Sequence, residues 1–258
     1  MSHAAKKIFI FPDIHWSERD EQALQTAIQA HTLFKPHITI FLGDLLNCNR
    51  FSRHPKSRIC EDSKYDFLTS ELNPVKKFLT AIQANTKEHT YLLEGNHDAW
   101  FERWIANNPN VGKAFRSLIP SESLTKDRDN FTYIPYSSTN SQSCCLKLEP
   151  GLLFAHGWNC TKYSAQRHLE QASPHSIIFG HTHRADKRRN TTFEGKKVES
   201  MSVGCLCQTV PIYAHSGVPT DWVHGVGVVY LGRHSFTMFD VPIVKGSCVM
   251  PNGKEVQL

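Results

Sequence analysis

The chain has 258 residues, of which 40% are hydrophobic and 21% charged. That is the composition of a folded protein rather than a disordered one, and it allows one large core or two modest ones. Apolar runs are strand-sized, short of the roughly 18 residues a membrane-spanning helix needs, and a net charge of +5 permits an anionic substrate without demanding one.

The first residues lack the apolar core and cleavage site of an export signal, so the expected location is the cytoplasm. The eight cysteines then read as reduced thiols, and they form no pair of Cys-x-x-Cys knuckles for structural zinc. Residues 7–11 are a short apolar run that reads as a strand buried on both faces, ended by Pro12 and Asp13. Ser17, with Asp20 three residues later, resembles a helix cap. Ala23, Leu24, Ala27, Ile28 and Leu33 follow at helical spacing, and Pro36 closes that helix. Residues 38–42 form a second buried strand, so the unit is strand–helix–strand with parallel strands. Helical periodicity returns at 75–84, a third strand at 91–93, and strand, helix and strand again at 152–155, 167–172 and 177–179. From about residue 190 the helices stop, and 198–203, 226–231 and 235–241 read as strands. The expectation is one α/β domain over 1–258 whose β-rich end packs against its first part.

Five strand ends carry unusual polar groups: Asp13-Ile14-His15, Gly43-Asp44, Gly95-Asn96-His97-Asp98, His156-Gly157 and Gly180-His181-Thr182-His183. Ligands of parallel α/β sheets gather outside the carboxyl ends of the strands, so these clusters should converge on one edge. Taken singly, Asp-x-His is more often a cap or a turn, and Gly-Asp says nothing. Asn-His after a strand is stronger, and two alternating histidines after Ile-Ile-Phe are stronger still. Asp13, His15, Asp44, Asn96, His156, His181 and His183 offer only oxygen and imidazole nitrogen. That donor set suits Mn, Fe, Zn, Ni or Co and argues against a thiolate site. Seven ligands exceed what one zinc takes and suit two ions if a carboxylate bridges.

In kind and order these motifs resemble the calcineurin-like metallophosphoesterases, over about residues 7–241. The resemblance implies a four-layer α/β/β/α sandwich of two mixed sheets with a dinuclear centre at the C-terminal strand edge. It implies Asp13, His15, Asp44 and His183 around one divalent ion and Asp44, Asn96, His156 and His181 around a second, with Mn²⁺ foremost. Gly204-Cys205-Leu206-Cys207 and Asp221-Trp222 with Gly225 look like phage- and prophage-encoded, exonuclease-like members. Many relatives carry glutamate where this chain has Asp98.

Two cations about 3.5–4 Å apart can clamp a phosphate and supply a bridging hydroxide as nucleophile. By resemblance His97 faces the substrate, and an unperturbed pKa of about 6.5 would suit protonation of the leaving oxygen; the plainer alternative is that it binds phosphate. The stretch 50–58 has Arg50, Arg53, His54, Lys56 and Arg58 around Phe51 and no acid, a pattern that can track a phosphate backbone or be a solvated loop. Arg184, with Lys187, Arg188 and Arg189, forms a second basic cluster. Arg50, Arg53, His54, Asp98 and Arg184 are the candidate substrate contacts. Trp100, Phe101 and Trp104 have helical spacing and read as core. Three functions fit: a phosphodiesterase or nuclease on DNA, RNA or nucleotides, a phosphomonoesterase, or a silent scaffold. The intact donor set disfavours the last. Neither an oligomeric state nor a membrane partner is implied.

Overall fold

Strand β1 (Lys6–Phe11) is buried over its last four residues and leads into α1 (Glu21–Phe34) and β2 (Ile38–Phe41). β2 pairs with β1 in parallel, Phe9 opposite Thr39, as the spacing implied. The helix starts later than Ser17 suggests. Trp16–Glu18 form a 3-10 turn, and Asp20 is the cap, accepting from the Ala23 N–H at 2.9 Å. Asp20 thus satisfies one of the amides that the first helical turn leaves without a partner. The computed structural model describes residues 4–52, 66–137, 144–210 and 220–258.

Helix α2 (Asn73–Ala84) continues from a π-turn, Leu68–Leu72, and β3 (His89–Leu93) lies parallel to β2. Three helices follow, α3 (Asp98–Asn107), α4 (Pro109–Phe115) and α5 (Pro120–Ser123), then β4 (Phe131–Ile134), parallel to β3. A second sheet is built from β5 (Cys145–Leu148), β6 (Leu152–Ala155), β7 (Ser176–Phe179), β8 (Ala185–Thr191) and β9 (Lys197–Val203), with α6 (Ser164–Ala172) between β6 and β7. β10 (Gly225–Leu231) and β11 (Phe236–Pro242) return to the first sheet, and β12 (Ser247–Val249) and β13 (Glu255–Gln257) form a small ribbon. The β-rich end therefore does not stand apart. β10 inserts beside β1, and β9 lies between β7 and β8.

Both large sheets mix parallel and antiparallel pairs. Ile8, Ile10, Ile40 and Leu93 of the first sheet meet Phe154, Ile178, Met201 and Val203 of the second in one apolar layer. On the outer face of the first sheet, Phe9, Phe11 and Phe41 pack under Ala23, Leu24 and Ala27 of α1 and Phe78 and Leu79 of α2. Ala172 of α6 covers Ile177 on the outer face of the second. The result is the expected α/β/β/α order, because central strands such as β1, β2 and β7 carry apolar residues on both faces. No helix among the described residues is long and apolar enough to cross a membrane.

Candidate metal centre

The parallel strands β1, β2, β3, β6 and β7 all end on the same edge, and the loops leaving them carry the seven donors. Asp13, His15, Asp44, His156 and His183 are each at most 6% exposed. Their atoms sit at coordination spacing. His15 Nε2 is 3.2 Å from His183 Nε2 and 3.5 Å from an Asp44 carboxylate oxygen. His183 Nε2 is 3.4 Å from Asp13. On the other side of Asp44, His156 Nε2 lies 3.4 Å from that carboxylate and 2.9 Å from Asn96 Oδ1, and His181 joins Asp44 and His156 in a group able to hold an ion. Two ligands about 2.1 Å from one ion, at tetrahedral or octahedral angles, stand roughly 3.0–3.4 Å apart. The donors therefore stand at metal-ligand spacing on both sides of Asp44, the carboxylate within reach of both groups.

The backbone around them is strained. His15, Asp44, His181 and His183 all have positive φ, at 45°, 48°, 66° and 57°, a region costly for residues with a Cβ and concentrated at functional sites. Close approach of β2 and β3 is enforced by glycine. A Cβ on Gly95 would stand 2.1 Å from Asp44 Oδ1, and one on Gly43 2.7 Å from the Gly95 nitrogen and from His156 Nδ1.

Charge is balanced inside the cluster. Burial alone would lower His156, but Asp44 and Asp13 override it and lift the ring to about 9. Burial likewise opposes the charged form of Asp13, and the hydrogen bond with His183 wins and holds it low. These protons occupy the places cations compete for, so metal binding releases them. His156 also has its far nitrogen fixed, Nδ1 donating to the Leu42 carbonyl at 2.9 Å, which leaves Nε2 as the nitrogen that could face an ion.

A second layer holds the loops. The Asp98 carboxylate accepts from the backbone N–H groups of Leu46 (2.7 Å), Gly95 (2.9 Å) and Leu45 (3.3 Å) and is 3% exposed. It ties the Gly-Asp loop to the Asn-His loop and is not a substrate contact, contrary to the sequence expectation. Glu71, in the π-turn, accepts from the Asn47 and Cys48 N–H groups at 2.9 and 3.1 Å. Asn47 bridges three groups: its Oδ1 lies 3.2 Å from His15 Nδ1, its Nδ2 donates to Glu18 at 2.9 Å, and its carbonyl accepts from His97 Nδ1 at 2.9 Å.

His97 lines the pocket beside His15 and stacks on Trp100 with ring centroids 3.8 Å apart. Burial pushes it down to about 3, so the near-neutral acid expected from an unperturbed value is not what the pocket holds at rest. Trp100 belongs to this wall as well as to the core behind it, whereas Phe101 is core, as its spacing implied. Cys207 also enters unexpectedly. Its Sγ lies 3.6 Å from His183 Nδ1, and it joins His15 and His183 as a third metal-competent donor. Its interaction with Cys205, and then burial, hold that thiol well above its ordinary value.

The pocket, about 650 Å³, runs from Glu18 and Asn49 past His97 to Arg184, Asp221 and Trp222. Arg184 lines it but anchors its Nη2 on the Cys160 and Thr161 carbonyls at 3.2 and 2.7 Å. Arg50 is exposed on the turn Asn49–Phe51. Phe51 is no free stacking platform, since its ring packs on Phe67, Phe101 and Trp104. Arg53, His54, Lys56 and Arg58 lie outside the described residues. Asn47, Glu18 and Glu71 escaped sequence reasoning. The Asn after Gly-Asp-Leu-Leu was the available signal for the first, and nothing in spacing marks Glu71.

A calcineurin-like phosphoesterase family model matches residues 6–185, more than half of the chain. No curated protein matches. Among solved structures, Vps29 from Cryptosporidium parvum aligns with a TM-score of 0.50 at 10% identity over 95% of each chain. A Vps29 single mutant from Entamoeba histolytica gives 0.47 at 12% identity, over 98% of this chain and 99% of that one. The nuclease MPE from Pseudomonas putida gives 0.36 at 14% identity, over 90% and 87%. The first of these speaks to fold alone. The family match covers all five loops, through His183, so the chain belongs to the calcineurin-like phosphoesterase family, which supports reading it as a metal-dependent phosphoester hydrolase.

Proposed function

We propose that the chain is a two-metal phosphodiesterase acting on nucleic acid or nucleotide substrates. Asp13, His15, Asp44 and His183 would hold one divalent ion and Asp44, Asn96, His156 and His181 the other. Mn²⁺ is the foremost candidate for this oxygen and nitrogen set, ahead of Fe, Zn, Ni and Co. When bound, such a pair supplies Lewis-acid polarisation of the phosphoryl group and an activated water.

The observation that carries the diester reading is the charge of the pocket. Among the described residues, and apart from histidines, its walls offer one cation, Arg184, and three acids, Asp44 at the proposed metal site with Glu18 and Asp221. A phosphate monoester near neutral pH carries between one and two negative charges, and a diester carries one. A wall this poor in positive charge suits the diester. His97 is oriented by its Nδ1–H bond to the Asn47 carbonyl, and Nε2 would take up a proton as the negative charge of a bound phosphoester favours the imidazolium, which then donates to the leaving-group oxygen or a phosphoryl oxygen. Asp98 and Glu71 act on the loops, keeping Asp44 and Asn47 in place. The exonuclease-like branch and a site of action in the cytoplasm of a host belong to this proposal, on the strength of the Gly204-Cys205-Leu206-Cys207 and Asp221-Trp222 motifs.

The test compares hydrolysis of bis-p-nitrophenyl phosphate and p-nitrophenyl phosphate by manganese-supplemented protein. The diester is expected to turn over faster. Preferential hydrolysis of the monoester would turn the assignment to a phosphomonoesterase.

A further inference from the structure

The hairpin β8–β9 leaves the metal edge and carries features the hydrolytic site does not use. Its tip is Thr192–Gly195, closed by Thr192 N–H to the Lys196 carbonyl at 2.8 Å and Gly195 N–H to the Thr192 carbonyl at 2.9 Å. At that tip Phe193 is fully exposed, with a relative accessibility of 110%. Along the hairpin Arg188, Arg189, Lys196 and Lys197 are also exposed, and Glu194 is the one acid at the tip. Glu199 is shared by Arg189 at 2.9 Å and Lys187 at 3.2 Å, so one carboxylate faces two cations. Among the described residues no ion pair engages Lys196 or Lys197. Beside the hairpin lies a cavity of about 620 Å³ lined by Arg189, Lys196, Lys197 and His234 together with Ser176 and Asn190.

β8 begins two residues after His183, and Arg184 between them lines the metal pocket. At about 3.3 Å per residue, its seven residues carry the line of cations roughly 23 Å away from the metal edge. Cations on an edge strand also discourage strand addition, but that purpose gives no reason to expose an aromatic ring at the tip. Phosphate-tracking cations with an open aromatic face are what single-stranded nucleic acid requires, because every base has a face that can stack. An acidic protein or lipid surface would make no use of the continuity between this strand and the phosphoester site.

We infer that β8–β9 is an exosite for single-stranded nucleic acid, Phe193 stacking a base and Arg188, Lys196 and Lys197 meeting phosphates of a strand that enters the metal pocket past Arg184. The inference rests on the diester reading above and names its substrate as a polynucleotide.

Fluorescence anisotropy with a labelled strand of about 16 nucleotides, in chelator so that nothing is cut, tests it. In Lys196→Ala/Lys197→Ala the log–log salt slope should flatten by about 1.4, roughly 0.7 per lost contact to a single strand. Phe193→Ala should weaken binding about 5- to 100-fold, and Phe193→Trp should restore it. Metal-stimulated hydrolysis of bis-p-nitrophenyl phosphate should be unchanged in all three, since that substrate is too short to reach the tip. Wild-type binding and slope in the variants, with diester hydrolysis intact, would overturn the exosite alone. So would loss of binding to acidic lipid vesicles with oligonucleotide binding untouched. Failure of the wild type to hydrolyse the diester would instead strike the functional reading beneath it.

Discussion

The layer between the two sheets and the edge that carries the donors are equally dry and chemically opposite. Ile10, Ile40, Phe154 and Ile178 are fully buried in the layer, and Asp13, Asp44 and His156 are at most 3% exposed at the edge. In the layer, burial itself stabilises, by about 25 cal/mol per Å² of apolar surface removed from water. At the edge burial opposes every charged form, and the hydrogen bonds and facing charges of the other groups hold the Asp13 and Asp44 carboxylates ionised. The layer should therefore be indifferent to metal, while the edge should depend on cations for function and for its own balance.

Asp44→Ala should break that contrast most severely. Removal of the shared carboxylate is expected to abolish hydrolysis and empty the edge while the apolar layer still folds. Elemental analysis decides it, and two ions retained per chain would contradict the bridging role. His97→Ala should keep its metal and lose about 10²–10⁴ in kcat, the range for a lost proton donor. The loss should shrink with a leaving group that needs no proton. An equal loss with good and poor leaving groups would mean that His97 acts by holding phosphate.

In the layer, Phe154→Ala should cost about 3–5 kcal/mol in denaturant-monitored stability, the usual cost of truncating a buried phenylalanine. Metal content per folded chain should stay as in the wild type. The smallest effect concerns His31, fully buried on the inner face of α1 against Phe9 and Phe11 and bonded to Thr39 at 2.9 Å. Burial pushes it down to about 4, below the value near 6.5 it has when unfolded. The unfolded chain takes up the proton first. Stability from this group is therefore full above pH 6.5 and falls as pH drops toward about 4, by about 3 kcal/mol in all. His31→Leu should show a shallower dependence across that window, by about 1.4 kcal/mol per pH unit near pH 5. Parallel curves would show that His31 is not the titrating group.

The same contrast explains what could be read in advance. β1, β2, β6 and β7 announce themselves as apolar runs because both faces are covered, and their ends mark the loops that carry six of the seven donors, Asn96 following β3. β4, β5 and β8 do not announce themselves. Each lies at a sheet edge, and the Ala-Asp-Lys-Arg-Arg-Asn-Thr of β8 carries no apolar alternation. The helix cap is Asp20, three residues beyond Ser17, which offers the same chemistry in the sequence. The position of Asp98 in Gly-Asn-His-Asp says that it is near the site but not which way it faces, and its carboxylate turns to the loop amides. Glu71 and Cys207 act across 23 and 24 residues respectively on Cys48 and His183, contacts that only the tertiary fold creates.

The most direct test of the account is a titration of manganese into chelator-stripped protein, with bound metal counted and bis-p-nitrophenyl phosphate hydrolysis followed in the same samples. The account predicts no hydrolysis without metal and a rate that saturates as two ions per chain are bound. Hydrolysis by the stripped protein, or full activity at a single ion, would contradict it.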